Sequence, residues 1–396
     1  MRSVGERGDV RPGLMTTSSH DRFYSRLAGL PLEVERYDTE RAELDVSSGF
    51  RRVTTTVVLR GGGCEGRGED VTYGAGDHDD FPLALPVAGA WTLETFTEAL
   101  GDLDLFPNGG PTMVGQATYR RWAFESAALD LALRQAGRSL GAALSRVYRP
   151  LRFVVSTRLD IGPWLAVDPT LEFKLDPTRD WDAGWVARVA ASGRVRVLDF
   201  KAFYDGTPVD SPPDPGLYAT VACAFPDAIL EDPALDGPAR AALVGQEHRF
   251  SFDAPVHSWA AVEELRTRLA NGRAHGTAST GERATGERGM TEAGVGPTVP
   301  SLPRYLNIKP SRFGTLRALF DCVERAQVAG ISLYGGGQFE LGVGREHIEA
   351  LASLLYPDGP NDVAPADFHG APHAGVPASP LVPGRQGPGF GFTYAC

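Results

Sequence analysis

Short apolar runs separated by longer amphipathic stretches make up the chain from residue 151 onward. One amphipathic stretch has four apolar residues at helical spacing and a glycine that ends it: Leu316, Leu319, Phe320, Val323 and Gly330. Repeated units of a strand and a helix predict a parallel sheet, either open or closed into a barrel. Each predicted strand ends in a polar or charged residue or in glycine: RFVVSTRLD, VRVLDFKAF, DAILEDP, FSFDAP, YLNIKP and GISLYGGGQ.

The part of the chain before residue 151 has a different pattern. RRVTTTVVLRGGG is a β-branched strand that ends at glycines, and WAFESAALDLALRQAG is a helix that ends at Gly137. Near residue 280 the chain repeats TGER and has almost no large apolar residues, which predicts disorder. We therefore expect five segments: a disordered tail (1–20), an α+β capping domain (21–150), a β/α barrel (151–360), a disordered insertion within the barrel (271–300) and a C-terminal coil that packs back on the cap (361–396).

Ionisable residues recur at the ends of the predicted strands with the spacing of a barrel unit. Lys201 and Asp232 are 31 residues apart, and so are Lys309 and Glu340. A TIM barrel uses about 250 residues for eight strand–helix units, or about 31 residues for each unit. The carboxyl ends of its strands meet at one edge. We therefore expect a modified TIM barrel whose mouth collects two lysines and several carboxylates.

Composition narrows the class of protein. The chain has 396 residues, 42% of them apolar, which is enough for two domains or for one large domain with a cap. Its formal net charge is −11 and it has no basic cluster, which argues against a nucleic-acid partner and against an anionic membrane surface. No apolar run is long enough for a membrane span, and the N-terminal stretch lacks the apolar core of a secretory signal. Four widely spaced cysteines fit reduced thiols, so we expect a cytoplasmic protein without a zinc site.

Two lysines near carboxylates point to proton-transfer chemistry. Carboxylates from neighbouring strand ends can hold Mg²⁺, which prefers oxygen ligands and leaves room for substrate oxygens. A metal on a substrate carboxylate makes the proton on the adjacent carbon more acidic. One lysine can take that proton if its pKa is lowered, and a second lysine can act on the other side. We therefore predict a small-molecule carboxylate as substrate and Lys201 and Lys309 as the catalytic pair.

Several motifs resemble those of the enolase superfamily, in the branch of muconate cycloisomerase and o-succinylbenzoate synthase. LNIKPSRFGTL is similar to the sixth-strand motif with its catalytic lysine, and YGGGQFELGVGREHIEALASL is similar to the seventh-strand motif. FESAALDLALRQAGRSLGAAL resembles the helix that closes the capping domain, GRGED its Gly-Glu turn and GPGFGF the closing coil. The resemblance implies a lyase or isomerase that abstracts a proton next to a carboxylate, for dehydration, cycloisomerisation or racemisation. Relatives often assemble, so it leaves a homo-oligomer open.

The resemblance also implies roles for single residues. Lys309 matches the sixth-strand lysine. The family's second strand ends in Lys-x-Lys, and LDFK places Lys201 at the second of these lysines and Asp199 at the first. Glu340 matches a seventh-strand acid that lines the pocket. Its alternative role is to form a salt bridge outside the pocket.

The metal ligands are matched less completely. Asp232 stands at the third-strand ligand, with Glu231 as the alternative register, and Asp253 stands at the fourth-strand ligand. The fifth-strand Asp-Glu pair has no counterpart, so we expect Mg²⁺ with a third ligand missing or drawn from elsewhere. The alternative role for both aspartates is to accept hydrogen bonds from loop amides.

Two other functions stay open. A metal-independent relative would use the lysines with Arg312 to bind a carboxylate in another lyase or isomerase step. A non-catalytic relative would bind a carboxylate without turnover. In all three cases we expect Arg312, Gly336 and Gly337 to line the substrate pocket.

Overall fold

The computed structural model of the chain describes residues 22–46, 49–204, 211–276 and 302–395. The predicted tail of residues 1–20 lies outside the described residues, and so does the predicted insertion from residue 277 onward. Within the described residues, no helix has both the length and the apolar character needed to cross a membrane.

The N-terminal part of the structure is the α+β cap that the sequence predicts. Its elements in chain order are α1 (Arg22–Leu27), β1 (Pro31–Val34), β2 (Arg36–Asp45), β3 (Arg51–Gly61), β4 (Cys64–Asp70), α2 (Ala75–Asp79), β5 (Gly89–Thr92), α3 (Leu93–Gly101), α4 (Ala117–Gln135) and α5 (Leu140–Leu144). Strands β2, β3 and β4 form an antiparallel sheet in that order, and β1 pairs with β5 in a separate sheet. The β-branched run of β3 suits a pleated surface, and most of its residues are buried.

Helix α4 lies across the sheet of the cap and is buried along most of its length. Two glycines of β4, Gly66 and Gly68, face it, and a methyl group at either position would collide with the helix backbone. Only a residue without a Cβ allows this close approach of strand and helix, which explains the GRG sequence inside a strand. Gly137 follows the helix with a φ of 61°, at the predicted end.

The remaining elements build a barrel of alternating strands and helices. They are β6 (Val155–Thr157), α6 (Gly162–Val167), β7 (Phe173–Leu175), α7 (Ala183–Ala191), β8 (Val195–Asp199), α8 (Pro215–Ala224), β9 (Ile229–Glu231), α9 (Gly237–Ala241), β10 (Phe250–Phe252), α10 (Trp259–Gly276), β11 (Tyr305–Ile308), α11 (Pro310–Phe313), α12 (Leu316–Val328), β12 (Ser332–Gly335) and α13 (Val343–Leu355). The described strands form one parallel sheet in which each pairs with the next in the chain, from β6 to β12. The expected modified TIM barrel with a capping domain is therefore confirmed.

A two-residue extended segment joins the two edges of this sheet. Asn361 O accepts a hydrogen bond from Val154 N at 2.8 Å, next to β6. Asp362 N donates to Gly335 O at 2.8 Å, at the end of β12. The segment thus takes the place of an eighth strand.

The barrel contains one described strand more than the six candidates that the sequence shows. Six predicted strands coincide with β6 and with β8 to β12, but β7 is absent from the prediction. β7 has only three residues, and Lys174 is at its centre, so it shows no apolar run. Because β6 and β7 precede β8, the LDFK stretch belongs to the third strand and not to the second. The stretches that end in Glu231 and precede Asp253 are then the fourth and fifth strands.

The C-terminal segment returns to the cap and contacts α4 and α5. Leu140 N donates to Gly389 O at 2.8 Å, and Phe390 N donates to Asp130 Oδ1 at 3.2 Å. The hydroxyl of Tyr148 donates to Phe390 O.

Candidate functional site

Five buried ionisable side chains meet where the central barrel strands end, an edge that we call the mouth. Asp199 and Glu231 are the last residues of β8 and β9, and Asp253 directly follows β10. Lys309 directly follows β11, and Lys174 is the middle residue of β7. Parallel strands bring their carboxyl ends to one edge, which is why residues far apart in sequence come together here.

Asp199, Glu231 and Asp253 form a cluster of three carboxylates, which we call the carboxylate cluster. One oxygen from each lies within 4.8 Å of the others, and all three residues are fully buried. Mg²⁺ prefers oxygen ligands of this kind. Like charges at such distances repel strongly inside a protein, so the cluster needs positive charge beside it.

Two lysines pair with Asp199. The Lys174 ammonium lies 3.0 Å from Asp199 Oδ2 and also contacts Glu231 Oε1. Lys201 Nζ contacts the same oxygen of Asp199 and lies 3.7 Å from Asp176 Oδ1. Burial alone would raise the pKa of Asp199, but the two ammonium groups outweigh it and hold that pKa far below its usual range.

Asp253 pairs with two cations from the region after β11. Lys309 Nζ lies 2.9 Å from Asp253 Oδ2, and Arg312 Nε lies 3.2 Å from Oδ1. The hydroxyl of Tyr204 donates to Oδ2 at 3.0 Å and accepts from Arg312 Nη2 at 2.9 Å. Burial opposes ionisation of Asp253, but Arg312 and Lys309 outweigh it and lower the pKa. The carboxylate is therefore charged at neutral pH.

Glu231 lies between these two pairs and is held by neutral donors as well. The Tyr334 hydroxyl donates to Oε2, and Asn307 Nδ2 donates to the same oxygen at 3.2 Å. Burial raises the pKa of Glu231 well above its usual value, against the charge of Lys174, and Asp199 raises it further. A cation bound beside Glu231 would favour its ionised form.

Asp232, the ligand predicted from the sequence, lies outside the carboxylate cluster. Its carboxylate accepts hydrogen bonds from Asp253 N at 2.8 Å and from Ala254 N at 2.9 Å. Asp232 therefore accepts hydrogen bonds from loop amides, which is the alternative to metal binding that the sequence leaves open. Burial and the charge of Asp253 raise the pKa of Asp232 to about 7. The structure places Glu231, the alternative register, in the cluster instead.

The two predicted pocket glycines lie against site side chains. A methyl group at Gly336 would stand 2.5 Å from Asn307 Oδ1 and 2.8 Å from Lys309 Cε. A methyl group at Gly337 would collide with the carboxylate of Glu340. Both glycines therefore leave space that neighbouring side chains use.

Glu340 has the contacts of a salt bridge. Its Oε2 lies 3.2 Å from Arg345 Nη2, and its Oε1 accepts a hydrogen bond from Gln338 N at 2.7 Å. The structure brings four predicted site side chains together at the carboxylate cluster, namely Lys201, Lys309, Arg312 and Asp253, and Gly336 lies against Lys309.

Sequence reasoning missed Lys174 and Asp176, and it gave Asp199 a different role. A signal for them was present. Lys174, Lys201 and Lys309 are the only lysines in a chain with 39 basic residues, and all three reach the mouth. Arginine stays protonated in proteins, whereas lysine can give up its proton. A chain that otherwise uses arginine for positive charge therefore marks its proton-transfer candidates by its lysines.

Two family models match the chain. The N-terminal domain of the domain of unknown function DUF8230 matches residues 25–143, and its C-terminal domain matches residues 147–271 and 280–370. Among curated proteins, no significant sequence match was found.

Solved structures with a similar fold include enolase-superfamily enzymes. Muconate lactonizing enzyme from Pseudomonas fluorescens, complexed with muconolactone, is 17% identical with a TM-score of 0.60, over 92% of this chain and 97% of that chain. Muconate cycloisomerase from the same organism is 16% identical with a TM-score of 0.59, over 92% and 97%. An enolase-superfamily member from Listeria innocua is 17% identical with a TM-score of 0.56, over 92% and 95%. At these identities the similarity establishes the fold.

Proposed function

We propose that this chain, which belongs to the DUF8230 family, is an enzyme that removes the proton from the carbon next to a substrate carboxylate. One observation carries the proposal. Carboxylates from the third, fourth and fifth barrel strands share a cluster, and a lysine from the sixth strand contacts it. The resemblance to the enolase superfamily implies metal ligands on those three strands and a catalytic lysine on the sixth. The fold shared with muconate cycloisomerase supports the same proposal.

The residues of the mouth fit Mg²⁺. The ion would be held by Asp199, Glu231 and Asp253. The sequence led us to expect Asp232 and Asp253 as ligands, without a third. Among the residues that the structure describes, Asn307 Oδ1 is a buried oxygen without a hydrogen-bond partner, and Asp253 Oδ1 has only the ion pair with Arg312. Bound there, Mg²⁺ would supply positive charge that makes the α proton of a substrate carboxylate more acidic.

Lys309 and Lys201 contact the two ends of the carboxylate cluster. Lys309 contacts Asp253 of the fifth strand, and Lys201 contacts Asp199 of the third. Burial opposes the charge on Lys201, but Asp176 and Asp199 outweigh it and raise the pKa of Lys201 above its usual value. Lys201 is therefore an ammonium group at neutral pH, suited to donate a proton or to hold developing negative charge. We assign the removal of the α proton to Lys309.

The second barrel strand departs from the family pattern. Lys174 matches the first lysine of Lys-x-Lys, and Asp176 stands at the second. Lys201 comes from the next strand and lies 3.7 Å from Asp176, so it brings an ammonium group to the region that the second lysine would serve. Racemisation needs each lysine to act as base in turn. Because two carboxylates hold the charge on Lys201, the arrangement favours dehydration or cycloisomerisation.

Calorimetric titration with MgCl₂ tests the metal centre. We expect the wild type to bind one Mg²⁺ and both Asp253→Ala and Glu231→Gln to lose most of this binding. Asp358→Asn is the control, because Asp358 is an exposed acid in a surface ion pair with Arg149. A folded wild-type protein that binds no Mg²⁺ would contradict the proposed centre.

Exchange of α protons in D₂O, followed by NMR over a panel of carboxylates, tests the reaction. We expect exchange with at least one carboxylate, and we expect EDTA to suppress it. Exchange that persists in EDTA would favour the metal-independent alternative, in which Lys309 and Arg312 bind the substrate carboxylate. The cations already paired with Asp199 and Asp253 are the observation that favours that alternative. Carboxylate binding without exchange would favour the non-catalytic relative.

A further inference from the structure

Lys174 is a buried cation to which the proposed reaction gives no role. Its side chain is 1% exposed, and its ammonium group contacts Glu231 Oε1 and lies 3.0 Å from Asp199 Oδ2. These are two of the three carboxylates assigned above to the metal. An ammonium group and a divalent cation attract the same oxygens and repel each other, so they compete for this position.

A fourth carboxylate, outside the carboxylate cluster, lies within reach of the same ammonium group. Asp362 Oδ2 is 3.5 Å from Lys174 Nζ, and the Asp362 side chain is 16% exposed. Its backbone is fixed, because Asp362 N donates to Gly335 O in the segment that joins the barrel edges. A lysine carries its charge on a flexible four-carbon stem, so a small rotation could move it from the cluster to Asp362.

We propose that Lys174 is an internal counter-ion that exchanges places with a divalent cation. Its ammonium group compensates the charge of Asp199 and contacts Glu231 until the cation binds, and it then moves to Asp362. The inference rests on the metal centre proposed above. Buried carboxylates without a partner are costly, which explains the first position, and repulsion from the bound cation explains the second. Affinity for the cation is therefore tuned by the relative stability of two positions of one side chain.

Lys174→Met removes the competing charge and retains most of the apolar stem. We expect this variant to bind Mg²⁺ about tenfold more tightly than the wild type in calorimetry, the size of effect typical of coupled neighbouring charges. We also expect its melting temperature in EDTA to fall and Mg²⁺ to restore it. Both effects follow because the variant leaves Lys201 as the ammonium group at Asp199, and the cation can replace the positive charge that Lys174 supplied.

Asp362→Asn tests the second position and does not depend on whether Lys174→Met folds. We expect it to weaken Mg²⁺ binding several-fold, because the displaced ammonium group loses its partner. Asp362 could also act through its general field, and the double variant separates the two causes. In the Lys174→Met background, Asp362→Asn should leave Mg²⁺ affinity unchanged if Asp362 acts through Lys174.

The small number of lysines allows direct observation. Protein labelled with ¹³C at lysine Cε should give three side-chain signals, which substitution of Lys174, Lys201 and Lys309 in turn would assign. On addition of Mg²⁺ we expect the Lys174 signal to shift in the wild type and to shift to a different position in Asp362→Asn.

The outcomes separate this inference from the proposed function. If the wild type binds Mg²⁺ but neither Lys174→Met nor Asp362→Asn changes the affinity, the counter-ion exchange is wrong and the metal centre stands. If Lys174→Met binds Mg²⁺ and the wild type does not, the competition is supported and the metal centre proposed for the wild type is overturned. If neither binds, both proposals are overturned.

Discussion

At the scale of single residues, the identity of each cation at the mouth carries chemical information. Lys309 and Arg312 both pair with Asp253, at 2.9 and 3.2 Å. Both positive charges lower the pKa of that carboxylate, Arg312 more than Lys309, yet only the lysine can exist as a neutral amine in a protein. The proposed reaction therefore needs a lysine after β11, whereas an ion pair with Asp253 alone does not.

Lys309→Arg separates these two requirements. The variant keeps a positive charge beside Asp253 but has no group that can accept a proton, so we expect exchange of the α proton to fall by at least about 100-fold. We expect Mg²⁺ affinity in calorimetry to stay within a few fold of the wild type, because the charge at the cluster is unchanged. Exchange at the wild-type rate would show that Lys309 is not the base.

At the scale of elements, six of the seven described barrel strands could be predicted from the sequence, and β7 could not. The apolar runs of β6 and β8 to β12 are visible without a structure, and so is the buried helix face of α12. The sequence pattern does not show β7, because its central residue is a lysine. Lys174 can be buried there only because it pairs with Asp199 and Glu231, which are far away in the sequence. Hydrophobic periodicity does not detect a charge that is compensated by distant partners. Because of the missing strand, the stretches assigned to the second, third and fourth strands belong to the third, fourth and fifth, whereas the sixth- and seventh-strand motifs keep their places. The same shift hid the third carboxylate.

Helix α4 contains a buried acid that links the cap to the barrel. Glu125 Oε2 accepts hydrogen bonds from Thr97 Oγ1 at 3.0 Å and from Leu316 N at 3.4 Å, at the start of α12. Burial, opposed by Arg121, raises the pKa of Glu125 to about 7 from a usual value of 4.5. Between these two pH values the folded protein holds a proton that the unfolded chain has lost. Its contribution to stability is therefore full below about pH 4 and falls as the pH rises through about 7.

Glu125→Gln should remove this pH dependence. We expect the free energy of unfolding to rise by about 1–3 kcal/mol at pH 8 and to change little at pH 4, measured by chemical denaturation. Glu94→Gln is a control, because Glu94 lies in a more exposed ion pair with Arg317 at the same junction. A gain of the same size at both pH values would contradict the assigned titration.

At the scale of the whole molecule, polar contacts join the cap to the barrel beside the mouth. Glu69 of β4 accepts hydrogen bonds from Leu341 N at 2.7 Å and from Gly344 N at 2.8 Å, at the first turn of α13. A carboxylate there compensates the unpaired N–H groups and the positive end of the helix. The change of sequence pattern near residue 151 predicted a cap and a barrel, but it did not predict these contacts between them. They depend on residues more than 270 positions apart, and no local pattern reports such a pairing.

Arg52 of β3 also links the cap to the barrel, and its substitution tests this link. Its buried guanidinium group donates to Thr72 O at 2.8 Å and to Val71 O within the cap, and to Phe339 O at 3.2 Å in the barrel. Arg52→Met would leave Val71 O and Phe339 O without this donor, whereas Thr72 O keeps its contact with His78 Nε2 at 2.8 Å. We therefore expect the variant to lower the free energy of unfolding by about 3 kcal/mol.

Its neighbour Arg51 is a matched control, because its side chain is 68% exposed and pairs with Glu43 on the surface. Exposed ion pairs contribute little, so Arg51→Met should change the free energy of unfolding by less than about 1 kcal/mol. Denaturant unfolding followed by circular dichroism gives both values. Equal losses in the two variants would mean that Arg52 does not join the cap to the barrel. A large loss in Arg52→Met alone, with faster amide exchange on both sides of this link, would mean that the cap and the mouth are stabilised as one unit.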